Sequence, residues 1–186
     1  MESYYLLSID PGLNGFLSVL KVEKEITIVD SLPIPTMKVL INKKNRTKID
    51  EVYLSEIIHS LVDKYKIKQI IIEKQQVMSG KVTKEGEPDK QGTVSSASTM
   101  EHFGFLKGLC LGIQIEPIVI PAKTWQTIYP DYLKKDKTLN TKDRSKLYCA
   151  ELFPTVDLRK NKRCRSISDG KTDSILIGYY QAIKTK

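Results

Sequence analysis

Residues 4–20 read YYLLSIDPGLNGFLSVL. Two apolar runs flank Asp-Pro-Gly and Asn-Gly, both of which are turn signals. The first run reads as a buried strand. The second, continuing to residue 23, reads as its antiparallel neighbour, and EITIVDSLPI (25–34) reads as a third strand. Asp10 then stands at the mouth of a buried strand. A carboxylate in that place is a turn-former or a ligand, and the rest of the chain has to decide which.

Working outward, residues 35–50 read as a polar connector or a short extra strand around residues 38–41. Residues 50–66 place apolar side chains at Val52, Leu54, Ile57, Ile58, Leu61, Val62 and Tyr65, close to a helical period, with Asp50 as the N-cap. KQIIIEKQQ (68–76) is a short apolar run and reads as a buried strand. A helix feeding a buried strand predicts a crossover to a parallel neighbour. Residues 78–93 are rich in glycine and charge and read as a mobile loop. Residues 94–113 read as a helix, 115–120 as a strand, 141–154 as an amphipathic helix stopped by Pro154, and DGKTDSILIGYYQAIKTK as a last helix. The order is α/β with a mixed sheet in one domain, 1–186.

Composition narrows the function classes. The chain has 186 residues, 40% hydrophobic and 28% charged, enough for a core and for solubility. Its apolar runs are too short to span a bilayer, and its start lacks the basic region and cleavage site of a signal peptide. Cys110, Cys149 and Cys164 lack metal spacing, so the expected compartment is reducing and cytoplasmic. Two histidines, His59 and His102, supply a Ser-His-Asp triad or a histidine metal site poorly. The net charge is +8, and residues 158–166 hold five cations and no acid. Such patches favour nucleic acid, although a lysine-decorated surface gives the same signal.

Asp10 and Glu73 both follow hydrophobic runs. If their strands are parallel neighbours, the two carboxylates sit side by side, which is costly unless a cation neutralises them. Hard oxygen donors suit Mg²⁺ or Mn²⁺. Asp169 and Asp173 lie four apart, one helical turn. Alone, they read as an N-cap and a dipole-favoured first-turn acid. Four acids in this order form a stronger signal than any one of them.

SIDPGLNGFLSVL, IIIEKQQVMSG, IPAKTWQ, KDRSKLYCAELFP and DGKTDSILIGYY together resemble the RuvC family of Holliday junction resolvases, in the RNase H-like superfamily, most closely its phage-type minimal members. The resemblance implies a five-stranded mixed sheet of order 3-2-1-4-5 flanked by helices. It also implies a homodimer that makes paired cuts in a four-way junction, leaving 5′-phosphate and 3′-hydroxyl ends. It carries Asp10, Glu73, Asp169 and Asp173 over as catalytic, metal-binding acids for two Mg²⁺ ions, with Mn²⁺ as a substitute. Bacterial members space the last two acids by three; here Gly170 stands in a spacing of four, as in phage-type variants. No aromatic follows Glu73 in KQQVM, which leaves Met78 or the longer loop for strand separation.

Candidate DNA contacts are Lys74, Lys81, Lys84, Lys123, Lys142, Arg144, Lys146, Arg159, Lys160, Lys162, Arg163, Arg165 and Lys171. Trp125 reads as a packing anchor rather than a base-stacking residue. The helix at 94–113, with Phe103, Phe105 and Leu109, is the candidate dimer interface or else only a core helix. No membrane and no nucleotide cofactor is expected. Phage or prophage origin stays open. The rivals are a broader fork and flap nuclease of the same fold and a non-catalytic junction-binding protein. A sugar-kinase-like ATPase would need a second nucleotide-binding half.

Overall fold

The computed structural model describes residues 3–41, 43–75 and 93–185. In chain order the elements are β1 (Tyr4–Ile9), β2 (Phe16–Val22), β3 (Ile26–Pro33), β4 (Thr36–Ile41), β5 (Lys44–Ile49), α1 (Glu51–Tyr65), β6 (Gln69–Lys74), α2 (Thr93–Gly112), β7 (Ile118–Pro121), α3 (Ala122–Trp125), α4 (Asp131–Lys135), α5 (Thr141–Leu152) and α6 (Asp169–Lys184). The loop expected at 78–93, with Met78, falls almost wholly outside the described residues.

The main sheet has five strands in the order β3-β2-β1-β6-β7. β1, β2 and β3 pair antiparallel, while β1–β6 and β6–β7 pair parallel, as the helical crossovers require. The expected order 3-2-1-4-5 is therefore corrected. The connector at 35–50 is not a loop or a lone strand. It is an antiparallel ribbon, β4–β5, forming its own two-stranded sheet. The fourth and fifth strands of the chain thus lie outside the main sheet. Their alternation carries lysines on exposed faces rather than a buried row, so the hydrophobic pattern of a core strand is missing.

Side-chain parity sorts the sheet into two faces. Leu7, Ile9, Ile70 and Ile72 point to one side, against Leu54, Ile58 and Leu61 of α1 and Phe103, Leu106 and Cys110 of α2. Leu6 and Ile71 point to the other, against Ile175, Leu176 and Ile177 of α6 and Cys149 of α5. Asp50 caps α1, its Oδ1 accepting from the Tyr53 amide at 3.1 Å. Phe103 is buried, and Phe105 and Leu109 pack partly buried against the same cluster. All three side chains contribute to the core on this face of the sheet.

The α6 face differs in chemistry. Ser8, Ser18 and Ser174 are buried there. The Ser8 hydroxyl donates to the Ser174 carbonyl at 2.6 Å, and the Ser18 and Ser174 hydroxyls pair at 2.7 Å. Small residues let the helix backbone come close. A Cβ on Gly178 would stand 2.6 Å from Ser8 Oγ, and one on Gly170 would stand 2.1 Å from the Asn14 carbonyl oxygen. At Gly170 the clash is with backbone, so glycine is required there, while at Gly178 it is with the side chains of Ser8 and Leu20.

Candidate active site

Parity places the first two acids. β1 and β6 run parallel with Ile9 opposite Ile72, so the next residues, Asp10 and Glu73, stand beside each other. Both follow the even-numbered row of β1 or its partner row of β6, the rows that meet α6. Asp173 comes from the second turn of α6, which Gly170 seats on the turn after β1. The spacing of four around a glycine thus has a packing cause. The N-cap of α6 is Ser168, and Asp169 is the first helical residue rather than the cap.

Electrostatics in this corner are adverse to three carboxylates. Burial, then the charges of Glu73 and Asp173, push Asp10 well above the usual carboxylate range. Burial raises Glu73 as well, against the bonds it accepts from Trp125 and Asp10. Each carboxyl bears on the other: Glu73 works upward on Asp10, and Asp10 works downward on Glu73. Asp173 is pushed up to about 6, first by burial and then by Glu73 and Asp169, with Ser145 pulling the other way. Burial also works upward on Asp169. The ammonium groups of Lys146 and Lys142, at 2.6 Å and 3.1 Å, outweigh it and hold that carboxyl below its ordinary range.

Supporting groups fix these carboxyls. The Trp125 indole N–H donates to Glu73 Oε1 at 3.2 Å while the ring is buried in the core. Packing and positioning are thus both present in Trp125. Ser145 works downward on the Asp173 carboxyl, and its hydroxyl pairs with the Tyr129 hydroxyl at 2.7 Å. Burial raises the Tyr129 phenol, so it stays protonated at neutral pH. Sequence reading missed Ser145 and Tyr129. The available signal was a serine on the inward face of an amphipathic helix.

A hard divalent cation suits this donor set. The ligating atoms are carboxylate oxygens, and Asp173 Oδ1 is buried without a hydrogen-bond partner. Burial raises all three inner carboxyls, and neighbouring carboxylates add to it at Asp10 and Asp173. Among the described residues, no group of three or more acidic, histidine or cysteine side chains is gathered closely enough to hold an ion as it stands. Lys142 and Lys146 engage Asp169.

A cleft of about 540 Å³ opens beside the acids, and Glu73 alone of the four does not line it. Asp10, Asp169 and Asp173 line it, together with Lys142, Lys146 and Lys160. The other sequence candidates are dispersed. Lys74, Lys123, Lys162, Arg163 and Arg165 are exposed away from the lining. Arg144 turns inward, its Nη2 donating to the Asp136 carbonyl at 2.8 Å. Arg159 forks onto Asp157, at 2.9 Å and 2.8 Å. Lys171 is half-buried near Asp157, Cys149 and Asp30 and does not line the cleft. Lys81 and Lys84 lie outside the described residues.

No protein-family model matches the sequence, and no curated protein does. Among solved structures, RuvC of Thermus thermophilus in complex with a Holliday junction substrate superposes with a TM-score of 0.59. The match covers 97% of this chain and 94% of that one at 10% identity. The chain has the RuvC fold. Two further matches are looser. The yeast mitochondrial Holliday junction resolvase Ydc2 gives a TM-score of 0.49 at 14% identity, over 97% of this chain and 80% of that one. The fowlpox virus resolvase with junction DNA gives 0.43 at 12%, over 96% and 98%. The RuvC likeness carries the architecture; the arrangement of the acids stands on the geometry above.

Proposed function

We propose that this chain is a metal-dependent endonuclease that makes paired cuts in four-way DNA junctions. The observation that carries the reading is the meeting of Asp10, Glu73 and Asp173 at one end of the sheet, beside a cleft edged by lysines. The RuvC fold and the motif resemblance agree with it.

In this reading Asp10, Glu73 and Asp173 hold Mg²⁺ or Mn²⁺, with Asp169 as a fourth donor once its lysines turn to DNA. Bound there, the cations supply a nucleophilic water and charge for the attacking and leaving oxygens of an in-line displacement. The chain's own residues set the stage. Trp125 fixes the rotamer of Glu73 through its N–H. Tyr129 and Ser145, paired through their hydroxyls, stand beside Asp173, whose Oδ1 has no hydrogen-bond partner. Lys142, Lys146 and Lys160 neutralise backbone phosphates at the cleft mouth. Two symmetric cuts call for two such sites, which a two-fold homodimer supplies.

The test is cleavage of a labelled immobile four-way junction, a fork and a linear duplex, each with Mg²⁺, with EDTA and with Asp10→Asn. Paired nicks on the junction, lost in EDTA and in the variant, are the expected result. Equal cutting of forks would move the reading to a general branched-DNA nuclease. Junction binding without cleavage in Mg²⁺ and Mn²⁺ would leave a structure-specific binding protein.

A further inference from the structure

The β4–β5 ribbon lies outside the acid cluster, and the reading above gives it no role. Between Thr36 and Ile49 the sequence holds Lys38, Lys43, Lys44, Arg46 and Lys48 and no acid. Cross-strand pairs share a face, so the register sorts them. Lys44, Arg46 and Lys48 stand opposite Ile41, Val39 and Met37 on one face. All three β5 cations therefore form a single row, and all three are exposed. Same-face residues recur about every 6.8 Å along a strand, so the row reaches across roughly four base steps of a duplex, at about 3.4 Å each.

The root of the ribbon ties it to the active-site end of the sheet. β1 ends at Ile9, just before Asp10, and β3, two strands away, ends at the same end of the sheet, with Pro33 opposite Phe16. The Ile34 amide then donates to the Gly15 carbonyl at 3.0 Å, joining the ribbon's base to the turn that lines the cleft. The Asp50 amide closes the base by donating to the Pro35 carbonyl at 3.0 Å. Lysines also guard exposed strand edges against stray pairing. A guard needs no neighbouring anion, whereas a cation row rooted beside a nuclease cleft has one whenever substrate is bound.

We propose that the β4–β5 ribbon is a second DNA contact, gripping the phosphate backbone of a duplex arm that leaves the cleft. This rests on the DNA reading of the cleft. The row is sequence-blind, since ammonium and guanidinium groups on phosphates position a duplex without reading bases.

The test is fluorescence anisotropy with junction and linear duplex in EDTA, across 50–200 mM salt. The full chain is compared with the triple variant Lys44→Ala, Arg46→Ala, Lys48→Ala and with Lys44→Arg, Lys48→Arg. If all three cations meet phosphates, the salt slope of the alanine variant falls by about 2.7. The wild type then loses about fortyfold more affinity than that variant over the range. The arginine variant keeps the wild-type slope, and melting temperatures stay together. Wild-type binding with an unchanged slope in the alanine variant overturns the ribbon proposal and leaves the DNA reading standing. No DNA binding by the wild type overturns both. Loss of binding to anionic lipid vesicles in the alanine variant, with DNA affinity unchanged, overturns it in favour of a membrane surface.

Discussion

The glycines of α2 and those of α6 do opposite things. A Cβ added at Gly104, Gly108 or Gly112 meets nothing within 4 Å. A Cβ added at Gly170 or Gly178 runs into the β1–β2 turn or into Ser8. The sheet faces beneath them differ in the same way. The α1–α2 face is an aliphatic seam in which volume matters. The α6 face interleaves serines and glycines so that a helix backbone can approach and deliver Asp173. One side of the sheet supplies stability; the other gives up side-chain bulk for position.

The largest expected break is chemical. Asp10→Asn should lower junction cleavage by a factor on the order of 10³ or more, the scale seen when a transition-state charge loses its partner. The same change should raise the metal-free melting temperature at alkaline pH, because ionising Asp10 against burial, Glu73 and Asp173 costs the fold stability. Ile58→Val, on the aliphatic face, should cost about 1 kcal/mol and leave the cleavage rate per folded molecule unchanged.

The pH dependence of stability comes next. Asp173 titrates near 6 when folded, above its ordinary value. The folded chain therefore binds more protons than the unfolded one between those values, and stability falls as pH rises through the window. The loss for Asp173 is roughly 3 kcal/mol. Metal-free protein should melt higher at pH 5 than at pH 7.5, and Mg²⁺ or Mn²⁺ should restore the difference at pH 7.5. A flat profile in differential scanning fluorimetry, with no response to the cations, would count against the metal site.

Two alanine substitutions sharpen the contrast directly. Gly170→Ala should destabilise by about 1–3 kcal/mol through overpacking and should lower cleavage by displacing Asp169 and Asp173. Gly104→Ala should stabilise by about 0.5–1 kcal/mol, since helix entropy is gained at no steric cost. Chemical denaturation of both reads the sign. Trp125→Phe keeps most of the ring and removes the N–H to Glu73. A tenfold fall in cleavage, about 1.4 kcal/mol, with little change in substrate affinity, would establish positioning.

The sequence carried the parts that obey a period. Strand alternation placed Asp10 and Glu73, and the helical period with Asp50 placed α1. The missed parts depend on partners distant in the chain. Trp125 meets Glu73 across 52 residues, and Ser145 meets Asp173 across two elements. Lys142 and Lys146 lie one turn apart on α5, so their shared face was readable; their hold on Asp169 was not. The ribbon was obscured because its exposed faces carry no burial signal. Lys171 sits between two acids in sequence, yet two residues along a helix is about 200° of rotation, which turns it away from the face they share.

Gly170 and Gly178 lie eight residues apart, about two turns or 12 Å of helix. They act like two teeth of a key: one bears on the Asn14–Gly15 turn, the other on Ser8 and Leu20. Two such points fix both the roll of α6 and its slide along the sheet. Removing one residue between them would roll one tooth by about 100° relative to the other. Length variation is thus forbidden over those two turns of α6. The β4–β5 ribbon has no glycine between Thr36 and Ile49 to seat it in this way, and a graft of a few residues between its strands should leave the acids where they are.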